Sequence, residues 1–182
     1  MWTLKVTAIL ACAAAVLSGC VRNGNPVEAP AAKMVRVGTY DSRAVAVAFS
    51  GSEVFSKWLG ELKVEQERAE AAGDTARVAE IRAKGAARQK LMHMQGFSTA
   101  PVDDILDQVR EGVQTVREKA GVDVLVSKWD KESLNRHRDA EVVDVTMDLV
   151  DLFNPNERQR RSAVEIQKHD PISLKQAENI RD

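Results

Sequence analysis

Several short stretches of this sequence carry side chains that could do chemistry. Met92-His93-Met94 sets two thioethers around an imidazole, donors that suit a soft copper ion. His137-Arg138-Asp139 places a carboxylate beside a cation, as a phosphoryl-transfer loop would. His169-Asp170 offers a base with an orienting acid, and Asp103, Asp104 and Asp107 cluster three carboxylates. None of these completes a site. Adjacent residues on a helix point in different directions, so the donors of 92–94 diverge, and a seam methionine beside an exposed histidine is expected. No glycine-rich loop, strand lysine or metal-binding Asp-Phe-Gly accompanies His137, and no serine in a recognisable turn accompanies His169. The aspartates fall in a first helical turn, where they complement the macrodipole. There is no Walker loop, dinucleotide fingerprint or zinc spacing. The chain is expected to be no enzyme, with no metal and no cofactor.

One thiol does have a chemical role. Lys5 supplies a positive start, and Val6 to Leu17 is a twelve-residue weakly polar-to-apolar run. That is too short to cross a bilayer as a helix, but it has the length of a signal-peptide core. It ends in Leu17-Ser18-Gly19-Cys20, which resembles the bacterial lipobox. On that resemblance residues 1–19 are removed and Cys20 takes a diacylglyceryl group at its sulfur. Cys12 leaves with the signal, so the mature chain has no thiol for a disulfide. Several acyl chains on one residue make a stable anchor where a single chain would not. Val21 stands where an aspartate would argue for inner-membrane retention, so the outer membrane is favoured. The alternative is an ordinary secreted protein with a cysteine near its cleavage site.

The 182 residues suffice for one ordinary domain, with 29% charged and only 4% aromatic side chains. That balance fits a surface-rich helical protein. A formal net charge of -1 excludes a global electrostatic case for nucleic acid. Residues 20–33, with Pro26 and Pro30 among small and polar neighbours, read as a flexible tether. Val35 to Tyr40 alternates as a strand, Asp41-Ser42 can cap a helix over Arg43–Phe49, and Ser50-Gly51-Ser52 ends it. Ser52 can cap a second helix, on which Phe55, Trp58, Leu59, Leu62, Ala69 and Ala72 form one apolar stripe. Gly73-Asp74 is a turn, and a return helix carries Val78, Ile81, Gly85 and Met92. The two make a hairpin over about 53–95 with a thin seam. Pro101 opens a helix over 101–120, Val122–Val126 is a strand, and Ser133–His137 is a weaker second one. Glu141–Thr146 leads into a helix through Phe153. The remainder, 154–182, is a polar, partly helical, loosely docked tail whose Arg158, Arg160 and Arg161 form a solvated basic cluster.

The segment Val37-Gly38-Thr39-Tyr40-Asp41-Ser42-Arg43 is similar to the first strand and helix start of the OmpH/Skp-like periplasmic chaperones. Val122–Val126 and Val142-Val143-Asp144-Val145-Thr146 resemble that family's closing strands and final helix. The resemblance covers residues 34–153. It implies an α+β fold, mostly helical, with a small antiparallel or mixed sheet and a protruding hairpin. It also implies a homo-oligomer, a trimer in the family, whose arms enclose unfolded outer-membrane proteins without ATP. Three features differ: the hairpin is short, its eight Lys and Arg nearly balance seven Asp and Glu, and a lipid anchor is expected.

The expectation is therefore a lipid-anchored, periplasm-facing chaperone or holdase for unfolded envelope proteins. Phe55, Trp58 and Leu62 are its candidate client contacts. The membrane is reached through Cys20. The alternative is a structural lipoprotein whose hairpin docks one folded envelope partner. Trp129, after the second strand, is the remaining aromatic that could serve either packing or clients.

Overall fold

A computed structural model describes Met34 to Ile180. The expected signal peptide, tether and lipidation site at Cys20 lie outside the described residues. The fold is mostly helical α+β. Strand β1 (Arg36–Tyr40) leads into helix α1 (Ser42–Ser50), then α2 (Glu53–Ala71) and α3 (Thr75–Phe97). Next come α4 (Asp103–Leu106), a 3-10 turn, α5 (Arg110–Ala120) and β2 (Val124–Ser127). Helix α6 (Lys131–Arg136), β3 (Glu141–Asp144), α7 (Thr146–Asp151), α8 (Glu157–Ile166) and α9 (Leu174–Glu178) complete the order.

The two expected strands do pair, Val37 opposite Val124 and Thr39 opposite Val126. The sheet, however, is neither antiparallel nor mixed. Its order is β2-β1-β3 and both pairings are parallel. The reason is the connections: each passage between strands contains helix, which returns the chain to the same end of the sheet before the next strand begins. The passage from β1 to β2 steps one way, and that from β2 to β3 steps back across β1. Val37 and Val126, 1% and 4% exposed, are buried although neither belongs to the main core cluster.

Ser133–His137 is not a strand. Asp130 accepts a hydrogen bond from the Ser133 amide at 3.0 Å and nucleates α6 instead. The helix expected over 101–120 is broken into α4, the 3-10 turn at Asp107–Val109 and α5. Ile105 is fully buried in the core beside α1. The non-helical Val109 (φ -126°) re-aims α5, whose Val116 is buried.

Helix α1 is the centre of the core. Ala44, Val45, Ala46, Ala48 and Phe49 are buried, so it is apolar on nearly all sides, as a core helix must be. Around it pack Val102, Ile105, Leu149, Val150 and Phe153. The tail is partly helical, but it is not loosely held. In α8, Ala163 is fully buried in the α1 core cluster. The Ile172 amide donates to the Phe97 carbonyl at 3.0 Å, and the Ser98 hydroxyl donates to the Ile172 carbonyl at 2.6 Å.

The hairpin is the least supported part. At about 1.5 Å per residue, its helices are roughly 30 Å long. Their seam is a small cluster of Leu62, Ala69 and Ile81, with Trp58 and Val78 against it. Gly73 closes the turn with φ +69°, where L side chains are strained. Asp74 then caps α3 by accepting from the Arg77 amide at 2.9 Å. Arg77 pairs with both Glu65 and Glu80, and Arg82 with Glu70, while Arg88 and Lys90 reach outside the hairpin to Asp104 and Glu178.

Gly60 lies mid-helix in α2 with no atom within 4 Å of an added Cβ. Gly60→Ala is expected to raise stability by about 1 kcal/mol, the ordinary helix-propensity difference. A urea unfolding midpoint that fails to rise would contradict the helical, solvent-facing assignment of this position.

Candidate functional site

Two places combine chemistry with position. The first lies at the C-terminal ends of the parallel strands, the usual ligand crevice of an open α/β sheet. Asp41 follows β1, Lys128 follows β2, and Asp144 ends β3. Asp41 Oδ1 accepts from the Arg43 amide (3.0 Å), Arg43 Nε (3.1 Å) and Trp129 Nε1 (3.1 Å). Its Oδ2 accepts from Arg43 Nη2 at 2.8 Å. The third nitrogen of that guanidinium, Nη1, donates to the His169 carbonyl at 2.8 Å. Trp129 lies beneath the guanidinium, 4.6 Å from ring centre to carbon. The Asp41 amide donates to Thr146 Oγ1 at 3.0 Å, and that hydroxyl donates to Asp144 Oδ1 at 2.6 Å. Lys128 pairs with Asp144 Oδ2 at 2.6 Å.

These groups consume one another. Burial pushes the Asp41 carboxyl up, but the hydrogen bonds from Arg43 and Trp129 and the Arg43 charge outweigh it and hold the group below the usual carboxylate range. Asp144 follows the same pattern: burial raises it, while Lys128 and Thr146 more than offset that. Both carboxylates are satisfied acceptors, so the crevice is a lock between elements. Trp129 serves this lock. The sequence reading named Asp41 as a cap but missed Arg43. The available signal was a cation two residues beyond a capping aspartate inside an otherwise apolar helix.

The second place is an apolar groove of about 720 Å³, bounded by α1, α2 and α3. Here the structure brings together all three residues singled out on the hairpin. Phe55 and Trp58, both half-buried, are stacked with ring centres 5.7 Å apart and planes 21° apart. Phe49 meets Phe55 at 5.4 Å and Phe153 at 5.8 Å, so an aromatic row runs from the core out to Trp58. Such a row holds Trp58 rigidly at low entropic cost. Leu62 is 9% exposed and forms floor more than wall, with Ile81 beside it. Leu59, which the stripe reading included without a role, is 50% exposed and lines the groove, as does Phe97 at 44%.

The other candidate chemistry does not assemble. Met92 and His93 line the groove, and the His93 ring leans on Phe97 at 6.0 Å. Asp139 is exposed and lies apart from both places. His169 sits 3.5 Å from Glu165 on an exposed turn. Among the described residues no group of three His, Cys, Asp or Glu could hold a metal, and no helix is long and apolar enough to cross a membrane.

Asp41→Ala strands the buried Arg43 charge, and such losses cost about 3–5 kcal/mol. Because the Asp41 and Asp144 carboxyls are depressed in the folded chain, their stabilisation is present above the ordinary carboxylate value of about 4 and is lost as pH falls through and below it. Urea midpoints measured between neutral pH and acid should fall steeply for the parent and less for Asp41→Ala. Parallel pH profiles would refute the assignment. Comparison with known proteins finds no matching family profile, no matching curated protein and no matching solved structure.

Proposed function

We propose that this chain is a lipid-anchored, periplasm-facing binding protein that holds apolar segments of envelope polypeptides without ATP, in the manner of a holdase. The observation that carries this reading is the open groove on the hairpin. Leu59 and Phe97 stand exposed at its wall, Phe55 and Trp58 are held in place by the aromatic row, and the polar residues near the strand ends are already paired. Exposed apolar surface in a concave setting is what a polypeptide-binding site requires. The lipobox-like Leu17-Ser18-Gly19-Cys20 supplies the envelope address, and the order of strand, hairpin, strand and helix supports the OmpH/Skp-like comparison. A homo-oligomer, by that comparison a trimer, would set several grooves around one client.

A second reading is favoured by a different observation. Near the tip of the hairpin Arg77 ties the two helices together by pairing with Glu65 across the seam and with Glu80 on its own helix, which suits one partner of defined shape. On that reading the chain is an interaction lipoprotein docking a single folded envelope protein.

Suppression of aggregation of a urea-diluted β-barrel protein tests the holdase reading. The parent chain is expected to suppress it, and Leu59→Gln to lose most of that effect, because burying an exposed leucine against a client is worth about 1.5–3 kcal/mol. No suppression by the parent would remove the reading. Separately, Cys20→Ala is expected to abolish labelling by a radiolabelled fatty acid and to release the chain from the membrane fraction. Retained labelling would place the acyl chain elsewhere.

A further inference from the structure

We infer that the segment held in the hairpin groove is an acidic amphipathic helix of a partner polypeptide. This rests on the groove being the binding surface, and it goes further by naming what the surface recognises. Three observations lead to it.

The groove is built by helices alone. Its lining comes from α1, α2 and α3, and where the lining reaches a helix end the Phe55 amide is capped by Ser52 and the Phe97 carbonyl takes the Ile172 amide. An extended segment laid there would bring unpaired amides and carbonyls against apolar side chains. Unpaired polar groups are costly to bury. A helix brings none, because it satisfies its own backbone.

The dimensions also suit a helix. On α3 the lining runs from Ile81 to Phe97, a distance of about 24 Å, or roughly four to five helical turns. Small residues on that side let a third helix approach closely. A Cβ added at Gly85 would meet only Leu62, at 3.6 Å, and one added at Gly96 would meet nothing within 4 Å. The occupant would be read through anchors at i, i+3 or i+4, and i+7.

Charge then sets the sign of the partner. The charged side chains lining the groove are Arg82 and Arg88, with no carboxylate among the lining residues. Arg88 is held by Asp104 at 2.6 Å and lies over the Phe49 ring at 5.1 Å. Arg82 is different. Its pair with Glu70 is long, at 3.2 Å, and both side chains are exposed. Exposed pairs of this kind contribute little and exchange readily. Arg82 is therefore the rim cation that a carboxylate flanking the partner's apolar anchors would engage.

The test uses the intact lipidated chain on neutral phosphatidylcholine vesicles, with empty vesicles as the blank. Fluorescence anisotropy would follow labelled synthetic peptides of about eighteen residues, slightly longer than the groove. One has leucines at the anchor spacing and glutamates on the flanks. The others are a scramble of it, a version with lysines for the glutamates, and a version with two central prolines. The acidic helix is expected to bind saturably, and each of the others about tenfold or more weakly, a difference of about 1.4 kcal/mol. Arg82→Glu should weaken the acidic peptide and strengthen the lysine one, and Leu59→Gln should weaken both. Equal binding of the lysine or proline peptide, or no effect of Arg82→Glu, overturns the inference. If the chain suppresses β-barrel aggregation but ignores the acidic helix, the inference falls and the holdase reading stands. If it does neither, both fall. Self-association of the chain that is abolished by Leu59→Gln, with no peptide bound, assigns the groove to a second copy and also overturns the inference.

Discussion

Among the described residues, sheet, core helix and tail meet at one buried charge pair. Asp41 and Arg43, 2% and 1% exposed, sit where β1 turns into α1. One carboxylate caps the helix, neutralises the guanidinium and takes the Trp129 indole from the loop after β2. The guanidinium reaches on to the His169 carbonyl in the tail. A buried ion pair is by itself weak support for stability, because desolvation offsets much of the attraction. Its value here is positional. Each donor and acceptor that satisfies the pair belongs to a different part of the chain, so the pair is complete only when sheet, core helix and tail are all in place.

That arrangement divides the molecule into a tight part and an open part. Around α1 the side chains interlock: Leu149 and Ile105 are wholly buried, and even the polar helix α8 contributes Ala163 to the centre. The hairpin has a far smaller seam, made of Leu62, Ala69 and Ile81. Its remaining apolar residues face outward and into the groove. Two antiparallel helices present a stripe on each side, and α1 covers only the base of one. The open groove is thus a consequence of a two-helix arm projecting from a core too small to cover it. The aromatic row from Phe153 through Phe49 and Phe55 to Trp58 couples the two parts.

The pairing at the strand ends has a physical basis as well. In a parallel sheet the strand ends are where side chains from separate strands converge. Here Asp41, Lys128 and Asp144 do converge, but each has a protein partner within hydrogen-bonding distance.

Much of this was legible in the sequence. The alternation of Val35, Val37 and Thr39, the Ala and Val run of α1 between Asp41 and Ser50, and the three-and-four spacing of Phe55, Trp58 and Leu62 are local patterns. They depend on neighbours within two turns or one strand, and they determined the elements, their order and the apolar stripe of the arm. Direction and closure were not local. The alternation of β1 reads the same whether its neighbours run parallel or antiparallel, and only the helical connections decide it. Ser133–His137 has no strong period, so a cap from Asp130 made it helix. The docking of α8 rests on Ala163 and the half-buried Ile166 together with bonds from Gln159 to Gly51 and from Arg160 to Asp151, which no hydrophobic pattern announces. Arg43 finds His169 across 126 residues. Tertiary structure alone decided which apolar residues were covered and which were left as a groove, because exposure is set by what the rest of the chain brings near.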